Sequence, residues 1–189
     1  MKKIIFLSFL GWFNLVSAST LNIDGLGNLV GVSGLDINGD IWNASFIDGS
    51  YLDVDSQIMV FSEQFAEEGS RALALAINDT SVNPIYTTTP SSTLGCESIV
   101  SCNYITITGE TATGGILYKS FVNLDGSTSD GLMSASFTNL TVNRNYETYV
   151  SWEPVAAIPT PAAVWLMGSG LIGLVGMRKK SAKLSALSA

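Results

Sequence analysis

Histidine is absent from all 189 residues. That absence removes Ser-His-Asp and Cys-His nucleophilic catalysis, the usual zinc ligand sets and histidine general-base chemistry. Cations are scarce in the middle of the chain, where Arg71, Lys119 and Arg144 face sixteen carboxylates between Asp24 and Glu153, a net charge of −13. Nucleic acid and anionic lipid surfaces are therefore excluded as partners, because phosphate binding needs a basic footprint. An acidic polysaccharide is repelled as well, unless a divalent cation bridges the two. No repeat of solenoid or propeller period is visible. Cysteine occurs only as Cys96 and Cys102. Their spacing is not Cys-x-x-Cys, and no histidine or nearby cation lowers a thiol pKa, so a redox pair is disfavoured and a disulfide closing a small loop is expected.

What the chain does have is concentrated at its two ends. Lys2 and Lys3, an apolar stretch from Ile4 to Val16, and Val16-Ser17-Ala18 make the charged, hydrophobic and small-residue regions of a signal peptide over 1–18, with Ser19 opening the mature chain. Near the other end, Pro159-Thr160-Pro161 precedes a sixteen-residue apolar run, Ala162 to Met177, and then Arg178, Lys179 and Lys180. Sixteen helical residues rise about 24 Å against a hydrocarbon core of roughly 30 Å, which makes a short membrane helix over 162–177. The basic triplet acts as a stop-transfer signal and keeps 178–189 in the cytoplasm, leaving everything upstream outside.

Ile158-Pro159-Thr160-Pro161-Ala162, Val164-Trp165-Leu166, the glycines at 168, 170, 173 and 176, and the basic triplet together resemble the VPLPA-CTERM variant of the PEP-CTERM sorting domain. Ile158 stands where that family usually has Val, and Thr160 where it has Leu or Glu. The resemblance covers about residues 158–180. It implies processing by an exosortase, a membrane-embedded protease or transpeptidase of Gram-negative bacteria that make exopolysaccharide. It also implies passage through the inner membrane to the cell surface or biofilm matrix. Residues 21–50 resemble an N-terminal hairpin found in some proteins of the same group, with no role attached.

Between the signals, 19–153 is long enough for one domain with a core, and 154–161 reads as linker and sorting motif. Asn38-Gly39 tolerates the positive φ values of a type I′ turn, so Val30–Ile37 and Asp40–Ile47 are expected to pair, with Trp42, Ala44 and Phe46 on one face. Phe61, Phe65, Gly69, Ala72, Leu73, Ala76 and Ile77 recur at helical steps, which predicts a helix over 62–78 that Ser62 or Ser70 caps and Gly69 kinks or interrupts. Residues 79–102 read as a long loop, with Asn83-Pro84 and Thr89-Pro90 breaking regular structure. Tyr104–Thr108, Ile116–Leu124, Leu132–Val142 and Tyr146–Trp152 alternate like strands, a four-stranded meander. The fold class that follows is mainly β with one helix, an antiparallel sheet or β-sandwich, followed by a single C-terminal transmembrane helix.

Two chemistries remain open for the acidic residues. Asp36-x-Asn38-Gly39-Asp40 and Asp53-x-Asp55 offer hard oxygen ligands in loops, as calcium requires, although neither matches the EF-hand spacing. Asp36, Asp40 and Asp48 also flank Asn-Gly and Asp-Gly turns, which explains them without a ligand. A glycosidase would need two carboxyls across a sugar cleft, with Trp42 or Tyr51 as walls. A carbohydrate-binding module would use exposed Trp42, Tyr51 or Tyr86. The leading expectation is a secreted, surface-sorted, non-enzymatic protein of the extracellular polysaccharide matrix. Replacing both cysteines by serine is expected to lower the unfolding free energy by about 2 kcal/mol, read from urea titration. Quantitative labelling of both thiols in the unreduced exported protein would contradict the bond.

Overall fold

The computed structural model describes residues 18–79, 81, 84–126 and 131–156. The expected signal peptide over 1–18 therefore lies outside these residues, except for Ala18, and the expected transmembrane helix over 162–177 lies wholly outside them. Among the described residues no helix is long and apolar enough to cross a membrane.

The chain is mainly β, with strands β1 (Thr20–Ile23), β2 (Leu29–Ile37), β3 (Asp40–Ile47), β4 (Ser101–Glu110), β5 (Ile116–Leu124), β6 (Gly131–Phe137) and β7 (Glu147–Pro154). The expected hairpin is present, with Ile37 opposite Asp40 and positive φ at both Asn38 (57°) and Gly39 (93°). A type I′ turn needs this left-handed geometry at both central residues, and Asn-Gly supplies it at least steric cost. Helix α2 (Glu63–Ile77) is capped by Ser62, whose Oγ accepts from Phe65 N at 3.1 Å. Ser70 is not a cap; it sits mid-helix on the buried face.

Several expectations are corrected. The seven strands form one sheet in the order β1-β2-β3-β7-β4-β5-β6, so the architecture is not a sandwich. The four-stranded meander is also wrong, because only β4, β5 and β6 follow one another. β7 returns from the β6 edge and inserts between β3 and β4, antiparallel to the first and parallel to the second. Its burial explains the placement: five of the six residues from Glu147 to Trp152 are buried, the mark of a strand covered on both faces rather than one at an edge. Strand β1 precedes the expected hairpin and was assigned no element by sequence, and β6 ends at Phe137 rather than at Val142. Pro154, placed in the linker by sequence, is the last residue of β7 opposite Trp42. The 79–102 segment holds a short helix α3 (Pro84–Thr88) and a 3-10 turn (Pro90–Ser92). Here both prolines stand at the start of a helical turn, where a missing N–H costs nothing.

Each face of the sheet has its own core. On one side α2 covers Val32, Leu35, Phe46, Tyr104, Phe121, Val150 and Trp152 with Leu73, Ala76 and Ile77. On the other, a single-turn helix α1 (Tyr51–Val54) and its 3-10 extension (Asp55–Gln57) help to cover Ile105, Ile107, Ile116, Tyr118, Phe137 and Tyr149. Alternation along β4 and β7 divides their side chains between these cores.

Gly69 neither kinks nor interrupts α2, which is continuous from Glu63 to Ile77. Its role is close approach: a Cβ built there would stand 2.9 Å from Cζ2 of Trp152. That indole cannot step aside, because it is 3% exposed and its Nε1 donates to Thr106 Oγ1 at 3.0 Å. Gly69→Ala should therefore lose stability by about 1–2 kcal/mol, the overpacking outweighing the gain of up to about 1 kcal/mol in helix propensity. Urea unfolding measures it, and a stabilised variant would show that α2 can lift off the sheet without cost.

Candidate functional site

The disulfide between Cys96 and Cys102 is formed, and both residues are buried. It stands within a set of bridges that pin the 93–98 segment to the sheet. Leu94 N donates to Leu29 O at 3.0 Å, while Glu97 N and Ser98 N donate to Asn145 O at 2.7 and 2.8 Å. Gly95 takes a positive φ (84°) where a side chain would press on Thr148. The result is a polar groove lined by Asn28, Asp48, Ser91, Glu97, Asn143 and Asn145. Of these residues only Asp48 drew attention in the sequence, as one of the clustered acidic residues that its Asp-Gly turn also explains. Part of the groove is already satisfied internally, since Asn143 Nδ2 donates to Asp48 Oδ1 at 3.2 Å.

The proposed calcium ligands are distributed among turns and caps. Asp36 Oδ1 accepts from Gly39 N at 2.8 Å within the hairpin turn, between Asn38 and the first residue of β3, Asp40. Asp53 caps α1, accepting from Ser50 N at 3.2 Å and from Ser50 Oγ, and these bonds hold its carboxyl below the usual carboxylate range. Asp55 begins the 3-10 turn that follows. Among the described residues no group of three or more Asp, Glu, His or Cys side chains gathers.

The aromatic residues proposed for sugar stacking are not exposed platforms. Trp42 is half-buried with its ring 4.7 Å from Phe65 and 6.2 Å from Phe61. Tyr51 is half-buried against Phe137 and Tyr149. Tyr86 is 3% exposed, and its hydroxyl donates to Gly27 O at 2.8 Å. Each ring has more apolar area to bury against its neighbours than a surface position would allow, and packing claims it. The sorting residues Pro159, Thr160 and Pro161 and the stop-transfer residues Arg178, Lys179 and Lys180 lie outside the described residues.

A second cleft, of about 210 Å³, opens between α2 and the β5–β6 edge of the sheet. Glu67, Ser70, Lys119, Leu132, Met133 and Ser134 line it. It differs from the groove in holding polar groups without partners. Ser70 is 1% exposed, yet its Oγ meets no hydrogen-bond partner among the described residues. Lys119 has a side chain only 19% exposed and a single ion pair, 3.9 Å to Glu63, whose own side chain is 74% exposed.

The remaining cation is consumed inside the fold. Arg144 Nη1 donates to Glu147 Oε1 and Oε2 at 3.2 and 3.1 Å, and its guanidinium lies 5.3 Å from the centre of the Phe137 ring. Glu147 is 5% exposed, and burial pushes its carboxyl up against the opposing pull of Arg144. Burial, reinforced by the Glu147 charge, also raises the Tyr149 phenol far above its ordinary range. No protein-family model, curated protein or solved structure matches this chain.

Arg144→Ala should cost about 3–5 kcal/mol at neutral pH, because it strands a buried carboxylate. The sign with pH follows from the raised pKa of Glu147. Folding favours the protonated acid, so this group's contribution is fully present below the unfolded pKa and is lost as pH rises through the folded one. The deficit of Arg144→Ala should therefore shrink as the pH is lowered through the carboxylate range. Urea unfolding at several pH values measures it, and a deficit independent of pH would mean that the lost contact was with Phe137 rather than with Glu147.

Proposed function

We infer that this chain is exported, sorted through its C-terminal segment and cut there by an exosortase-type membrane protease, leaving the β-rich domain at the cell surface or in the extracellular polysaccharide matrix. The observation that carries this reading is the sequence Pro159-Thr160-Pro161, the apolar run to Met177 and the basic triplet that follows. The two prolines keep the preceding chain extended at the outer boundary of the inner membrane, where a protease can reach it, while the triplet holds the tail inside. A disulfide-bonded domain agrees with an oxidising destination. The role is non-enzymatic and needs no cofactor: the domain has no histidine, and the groove beside the disulfide holds amides, hydroxyls and carboxylates suited to hydrogen-bonding a hydroxyl-rich polymer.

Intact mass of the protein recovered from the native host's medium and envelope tests both ends together. The expected species begins at Ser19 and lacks the chain from about Ala162 onward. Changing Pro159 and Pro161 to alanine should leave an uncut, membrane-retained protein, as should deletion of the host's exosortase. Envelope protein still carrying Ser181 to Ala189 would make the segment a permanent anchor and overturn the processing step.

A further inference from the structure

We propose that the cleft between α2 and the β5–β6 edge is a subsite for one carboxylate-bearing sugar residue, with Lys119 and Ser70 as its recognition groups. This deepens the matrix reading above and rests on it for the choice of a sugar.

Two polar groups meet at the same space. The Lys119 side chain is 19% exposed, its ammonium donates no hydrogen bond among the described residues, and its ion pair there is a long contact to a largely exposed glutamate. An ion pair at that distance with a solvated partner contributes almost nothing. Ser70 adds a hydroxyl buried to 1% exposure whose oxygen has no partner among the described residues. Both line the cleft. An unsatisfied buried hydroxyl is costly, so a ligand that completes it recovers that loss.

A carboxylate fits both, since it accepts from an ammonium and a hydroxyl at once. The acid at the rim, Glu67, has a cation of its own beside it, Arg71 at 3.4 Å. Leu132, 41% exposed and on the same face of the sheet as Lys119, supplies an apolar wall for the C–H face of a ring, and Ser134 a further hydroxyl. A space of about 210 Å³ is below the roughly 300–1,000 Å³ of drug-sized pockets, which suits a single sugar unit. Position also matters in a stretch carrying −13. Of its three cations Arg144 is bound internally to Glu147, while Arg71 and Lys119 both stand at this end of the sheet. A long polyanion is still repelled at a distance. One carboxylate inside the cleft meets the only cation that faces it.

Calorimetric titration of the full chain with glucuronate, glucose and inorganic phosphate tests this. Glucuronate should bind saturably, glucose at least ten-fold more weakly. Because the long-range repulsion is screened within about 10 Å at 0.1 M salt while the buried contact is not, affinity should hold or rise as salt is added. Lys119→Met keeps the length of the side chain and should weaken glucuronate at least ten-fold with the melting temperature retained. Ser70→Ala should weaken it several-fold without loss of fold. Equal binding of glucose, tighter binding of phosphate than of glucuronate, or indifference to Lys119→Met would overturn the assignment. Absence of binding in a protein whose mass shows both cleavages removes the subsite and leaves the sorting reading. Lysine-dependent binding in an uncut protein does the reverse.

Discussion

Trp152 brings the long helix and both halves of the sheet to one buried contact. It lies on β7, the strand that links β1–β3 to β4–β6, and it packs edge-on against Phe65 and under Gly69 of α2. Its Nε1 donates across the sheet to Thr106 on β4. One buried side chain thus sets the height of the helix above the sheet and ties the two strand neighbours together. Indole burial provides a large apolar area, but only where its N–H finds an acceptor, and Thr106 is that acceptor. Everything that depends on the α2–sheet spacing, including the cleft beside Ser70, depends on this contact.

Charge is the second organising constraint. A stretch with sixteen carboxylates and three cations cannot distribute ion pairs over its surface, and each cation is placed where it has a local task. Arg144 neutralises Glu147 inside the core on one face, Arg71 holds Glu67 on the exposed side of α2, and Lys119 lines a cleft. Most of the remaining carboxylates stay in water or close turns and caps, as Asp36 and Asp53 do. Such a surface lacks the basic footprint that binding to phosphate groups requires.

The functional reading joins ends and middle without requiring catalysis. On the reading proposed above, the terminal segments serve as an address and a cut site, and the domain between them is a disulfide-bonded, acidic body with small polar recesses.

Local features were legible before any coordinates. The Asn38-Gly39 hairpin, the Ser62-capped helix and the Cys96–Cys102 bridge are written in neighbouring residues, where turn chemistry, helical periodicity and a six-residue separation decide the outcome. The position of β7 was not legible, because strand alternation records which residues are buried and not which neighbour buries them. Its parallel pairing with β4 is a long-range choice made by the sheet as a whole. The same holds for Gly69, which reads as a helix breaker until Trp152 stands over it, for Trp42, whose ring reads as exposed until Phe61 and Phe65 pack on it, and for Tyr51 and Tyr86, which their own short helices turn inward. Ser70 and Lys119 sit 49 positions apart and carry no motif. Only the packing of α2 against β5 brings a buried hydroxyl and a half-satisfied ammonium to one cleft, since side-chain satisfaction is a property of three-dimensional neighbours and not of order along the chain.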